Sequence, residues 1–99
     1  MTLPPTEEMI DSVSRELATL LAARLDSLRY AKGWSQRTLA ERSGVSTSIQ
    51  AAVKKGGLPG MKTILRLALA FEVGSLEELF GPLPPTSAAL QAARLPTGR

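Results

Sequence analysis

Gln36 to Lys55 reads QRTLAERSGVSTSIQAAVKK, and this stretch decides the fold. Its first seven residues, Gln36 to Arg42, carry Leu39 and Ala40 as the inward side chains of a short helix. Ser43-Gly44-Val45 is the break. Gly44 has no Cβ and can take the left-handed conformation that ends a helix. Ser46 then offers a hydroxyl as N-cap for a second helix, near Ser46 to Lys54. Two short helices joined through a glycine-containing turn make a helix-turn-helix unit.

Upstream, Thr6 followed by Glu7 and Glu8 predicts a helix start, with a capping hydroxyl and acids in the first turn. Met9, Ile10, Val13, Leu17, Leu20, Leu21, Leu25 and Leu28 follow at spacings of three and four. They form one apolar stripe on a helix from Glu7 to about Lys32, which Gly33 ends. The C-terminal half of the stripe can pack on the helix-turn-helix. The N-terminal half is expected to project. Ile10, Val13, Leu17 and Leu20 there have an a/d-like spacing that points to a homodimer contact, the alternative being that the extension folds back. Gly33-Trp34-Ser35 is a turn, with Ser35 as N-cap of the next helix and Trp34 covering one edge of the core.

Downstream, Lys54-Lys55-Gly56-Gly57-Leu58-Pro59-Gly60 is a loop, and it lacks the glycine and Lys-Ser/Thr spacing of a nucleotide-binding loop. Met61 to about Phe71 is apolar on more than one face and predicts a central buried helix. Ser75 with Glu78 forms a capping box before a last short helix through Leu76, Leu79 and Phe80, and Gly81-Pro82 stops it. The expected fold is all-α: a compact five-helix domain over residues 20–81, with an N-terminal lead-in and helix extension over 1–19. A Pro/Ala-rich tail over 82–99 is expected to lack fixed structure and to be able to take up a protein partner.

The 99 residues contain neither Cys nor His, which removes disulfides, thiolate chemistry and the usual zinc sites. No metal, cofactor or catalytic set is therefore expected, and the paired glutamates at helix starts answer to the helix dipole. No apolar run suggests a membrane span, and the N-terminus lacks a signal-peptide pattern, so a cytoplasmic location is expected. The net charge of +3 is unevenly spread. Residues 1–28 carry −3, residues 29–66 carry +7 and residues 67–99 carry −1. The positive charge thus gathers around the helix-turn-helix, as a phosphate-binding surface requires. The second helix of such a unit can enter the DNA major groove.

The region from about Leu20 to Phe80 resembles the Xre/Cro-type helix-turn-helix domain of phage repressors and many bacterial regulators. The likeness is carried by Leu25-x-x-Leu28-Arg29, Lys32-Gly33-Trp34-Ser35-Gln36, Leu39-Ala40, Ser43-Gly44-Val45-Ser46, Lys55-Gly56, the run from Pro59 to Val73, and Leu76-Glu77-Glu78-Leu79-Phe80. The resemblance implies a five-helix bundle that binds double-stranded DNA as a dimer and regulates transcription, as a repressor by preference. It implies that Gln36 starts the first helix of the unit and touches a phosphate or an end of the site. Thr47, Ser48, Ala51 and Ala52 match the outward positions of the recognition helix, beside the capping Ser46. Arg37, Lys54, Lys55 and Lys62 are the expected backbone contacts.

Two departures leave the register open. Either the Gly56–Pro59 loop or the turn before Ile49 is one residue shorter than the pattern. In the first case Gln50 takes a buried position and needs hydrogen-bond partners, because an unsatisfied buried amide costs about 1–3 kcal/mol. In the second, Ile49 and Ala52 face the core and Gln50 points outward. Gln50 is then the one side chain of the recognition helix able to pair with adenine through two hydrogen bonds. With few base readers, phosphate contacts and DNA shape would carry much of the binding. The alternative function is a protein-interaction module of the same fold, antitoxin-like or a phage regulatory adaptor, with weak or no specific DNA binding.

Overall fold

The computed structural model describes residues 3–81, and within them the chain is five α-helices: α1 Glu7–Lys32, α2 Gln36–Ser43, α3 Thr47–Lys54, α4 Met61–Phe71 and α5 Leu76–Phe80. The expectations for the 82–99 tail lie outside the described residues. No helix among those residues is long and apolar enough to cross a membrane.

Local chemistry sets each helix end. Thr6 Oγ1 accepts the Met9 N–H at 3.1 Å and opens α1, with Glu7 and Glu8 in its first turn. Gly33, at φ 70°, closes it. Ser35 Oγ accepts the Thr38 N–H at 3.0 Å and opens α2, which ends on Gly44 at φ 78°. That left-handed conformation is one that residues bearing a Cβ adopt at a cost. Ser46 Oγ accepts the Ile49 N–H at 3.2 Å and opens α3. Gly60 precedes α4 and has no side chain with which to cap it. Ser75 opens α5 by accepting the Glu78 N–H at 3.2 Å, while Glu78 reaches back to accept the Gly74 N–H at 2.6 Å. The reciprocal box is present, displaced by one residue from the Ser75 N–H that the motif would use.

The core draws on every helix. Ala18, Leu21 and Leu25 enter from α1, Leu39 from α2 and Val53 from α3. Ile64, Leu67, Ala68 and Phe71 come from α4, Leu79 comes from α5, and Val45 enters from the turn between α2 and α3. Trp34 stacks on Phe71 with ring centroids 5.3 Å apart and roofs the edge where α2 begins. α1 lies against α3 and α5, and α2 lies against α3 and α4. The last residue of α2, Ser43, is also buried; its Oγ donates to Leu39 O at 2.6 Å and accepts from Val45 N at 3.0 Å. Both hydroxyl functions are thereby satisfied inside the protein.

Packing of α1 starts earlier than residue 20. Ala18 has no exposed surface, and Arg15 lies so close to the loop that a Cβ at Gly56 would fall 2.7 Å from Arg15 Cγ. The projecting part is correspondingly short. Val13, Leu17 and Leu20 are half-buried without joining the core, and Ile10 is exposed.

Candidate nucleic-acid interface

The register of α3 is settled by Gln50 and Val53, which are both buried, while Ile49 and Ala52 are exposed. Of the two registers left open by the sequence, the chain adopts the one that buries Gln50. Gln50 Nε2 donates to Gln36 O at 3.0 Å and to Val45 O at 3.1 Å. This corrects the expectation that Gln50 reads a base. Its amide hydrogens are committed to two backbone carbonyls, and only 4% of its surface reaches solvent. Gln50 instead ties the middle of α3 to the first residue of α2 and to the turn, fixing the angle at which α3 is presented.

The outward face of α3 consists of Thr47, Ser48, Ile49, Ala51 and Ala52, all exposed, followed by Lys54 and Lys55. Ser46 is exposed at the start of the same helix. Its oxygen is used as a cap, which leaves the hydroxyl proton for an outside acceptor. Hydroxyls in the first turn and alanines after it can give single hydrogen bonds and contacts to thymine methyls.

A second feature lies in the helix N-termini. α1 and α5 carry acids in their first turns, which compensate the positive end of the helix dipole. The first turns of α2, α3 and α4 carry none. α2 has Arg37 in that turn and α4 has Lys62, each the second residue of its helix. A base at the positive end of a helix disfavours the helix slightly and favours an anion in front of it. Gln36, half-buried, and Arg37, exposed, sit side by side at the α2 end. The three ends without acids belong to the helix-turn-helix and to the helix that follows the Lys54–Gly60 loop.

Charge at the far end of α3 is less one-sided than the linear count implies. Lys54 Nζ lies 3.7 Å from Asp26 Oδ1, and the same oxygen accepts Arg29 Nη2 at 2.8 Å. The packing of α1 on α3 brings this acid from the segment counted as negative into the basic one. Lys54 remains half-exposed in a pair that contributes little at the surface, so its ammonium can turn to a phosphate. Lys55 and Lys62 are exposed and outside the ion pairs of the described residues.

Two further cations were not singled out by sequence reasoning. The Arg42 guanidinium lies 4.9 Å and the Lys32 ammonium 5.4 Å from the centre of the Trp34 ring. The indole orders both by cation–π attraction. Lys32-x-Trp34 is visible in the sequence, but nothing in the sequence places Arg42 over that ring. Among the described residues no group of three or more His, Cys, Asp or Glu side chains could hold a metal ion. Comparison of the chain with family models, with curated proteins and with solved structures finds no match, so the reading of this surface rests on its own residues.

Proposed function

We propose that the protein is a sequence-specific double-stranded DNA-binding regulator of transcription, a repressor by preference, working in the cytoplasm in the manner of the Xre/Cro-type regulators it resembles. In this reading α3 enters the major groove by its N-terminal turn, with Ser46, Thr47, Ser48 and Ala51 toward base edges. Gln36 and Arg37 at the start of α2, Lys62 at the start of α4, and Lys54 and Lys55 after α3 hold the phosphate backbone. The observation that carries the reading is the set of three helix N-termini without acids, two with a base in the first turn, around an exposed α3. Phosphates supply the negative charge that those ends lack. Binding by a pair of copies follows from the resemblance.

Selection of bound sites from random duplex DNA at physiological salt, with wild type and with Gln36→Ala, tests the proposal. An enriched two-fold site is the expected result. Arg37→Ala should weaken binding evenly across sequences and reduce the salt slope of log K by about 1, as loss of one phosphate contact does. Absence of any enriched site, with no salt-dependent retention on DNA, would sink it.

A second reading has its own support. The outward face of α3 has no side chain able to make a paired hydrogen-bond contact to a base, and Ile49 is 39% exposed on it. A helix that presents Thr, Ser, Ile and Ala also suits a protein groove. That protein-interaction module would retain a partner from cell extract and ignore DNA at low salt.

A further inference from the structure

The apolar stripe on the N-terminal half of α1 runs into the end of α5. Ile10 is exposed, and Val13, Leu17 and Leu20 are half-buried without joining the core. At 3.6 residues per turn these side chains share one face of the helix, and the next residue on that face is Arg24. Arg24 Nε donates to Glu78 O at 2.9 Å, so its side chain lies across the end of α5. Gly81 is buried against it, where a Cβ would stand 3.6 Å from Arg24 Cδ. The chain therefore leaves α5 on this same face of α1, one turn from Leu20.

Eighteen residues follow Gly81, PLPPTSAALQAARLPTGR. Even as a helix throughout, a chain of that length measures about 27 Å, against about 15 Å from Leu20 to Ile10 along α1. Its chemistry matches α1 in order. Leu83, Leu90 and Leu95 supply apolar side chains, Arg94 and Arg99 come late, and it contains no Asp or Glu. Read back from Arg24, α1 offers Leu20, Leu17, Val13 and Ile10 first, and Asp11, Glu8 and Glu7 towards its start. Those acids are exposed and outside the ion pairs of the described residues. A segment running from Gly81 toward the start of α1 sets leucines on the stripe and arginines among the acids.

The other exposed apolar row suits this segment less. Met61, Leu65 and Leu69 are exposed on α4, but that helix carries Lys62 and Arg66 and no acid, so like charges would meet there. A second copy of the chain is also at a disadvantage on the α1 stripe. The segment is tethered one turn away and meets the stripe at an effective concentration on the order of millimolar.

We propose that residues 82–99 lie back along α1 and cover the Ile10–Leu20 stripe within the same molecule, closing it to outside partners. The inference stands apart from DNA binding, and its test uses no DNA.

The full chain contains no cysteine, so Leu17→Cys places a single thiol on the stripe, and Ile10→Cys gives the same readout at an exposed position if the first variant does not fold. The thiol should react slowly with a maleimide. Leu90→Glu with Leu95→Glu should speed the reaction at least tenfold while the helical circular-dichroism signal and melting cooperativity are kept. Arg94→Glu, which sets an acid among acids, should also speed it, by less. A rate that ignores these tail substitutions would overturn the proposal. A rate that slows as protein concentration rises would put a second copy on the stripe and overturn it as well. Tail substitutions that release the thiol of Leu69→Cys and leave that of Leu17→Cys unchanged would move the segment to α4, with the same consequence.

Discussion

Gln50 commits its amide hydrogens to carbonyls of α2 and of the turn, and so ties three consecutive segments together. Gln50→Ala leaves both carbonyls without that donor and opens a small void. A loss of about 2–3 kcal/mol is expected in urea unfolding, the range for a buried polar group left unpaired. Gln50→Glu keeps the shape but sets an acceptor against two acceptors, so it should be the more damaging change. Neither substitution should redirect base preference in whatever fraction stays folded. An altered preference at unchanged stability would show that the side chain faces DNA after all. The ambiguity over this residue was physical. A glutamine amide serves equally as a reader of adenine and as a buried clamp, and the choice depends on whether the loop or the turn is shortened. Ser43 is a similar case, because only the fold reveals that both sides of its hydroxyl are satisfied.

At the scale of the element, the helix ends were the most legible part of the chain. Thr6, Ser35, Ser46 and Ser75 all cap the helices they precede, and Gly33 and Gly44 end theirs in the left-handed region. Capping is local, so short stretches of sequence determine it. Glu72 escaped this logic. It closes α4 at φ 56° in a position where glycine would be expected. The glycines also differ in what they tolerate. Gly33 has open space around its missing Cβ, so Gly33→Ala should cost only the left-handed strain, about 1 kcal/mol. Gly56, at φ 98°, has Arg15 Cγ where a Cβ would stand, so Gly56→Ala should cost clearly more and should also shift α1 against the loop. Thermal unfolding of the two variants side by side checks the order. The meeting of Asp26 with Lys54 was not legible, because it arises where α1 crosses α3 and the two residues are far apart in sequence.

For the whole molecule, the pattern of apolar residues was enough to fix five helices and a core built mainly of Leu, Ala, Val and Ile. It was less able to say which apolar rows stay outside. The row of Ile10, Val13, Leu17 and Leu20 on α1 does stay out of the core, while Ala18 beside it is fully buried and the packed region begins near Arg15. α4 reads in sequence as a central buried helix, because periodicity shows that a helix has more than one apolar face without showing that only one is covered. The exposed Leu65 and Leu69 are where that reading stopped short. Segment charge sums met the same limit, since they locate cations along the chain and cannot see an acid folded in among them.

The unmatched N-termini of α2 and α4 have a consequence for how the molecule trades durability against use. Arg37 sits at the positive pole of its helix, where a base disfavours the helix slightly. Arg37→Glu should raise the melting temperature of the free protein, by the equivalent of about 0.3–1 kcal/mol for an acid in a first turn. The same change should abolish retention on DNA. Sulfate or phosphate should stabilise the wild type more than that variant at equal ionic strength. Differential scanning fluorimetry with the two proteins in sulfate or phosphate and in chloride checks this order.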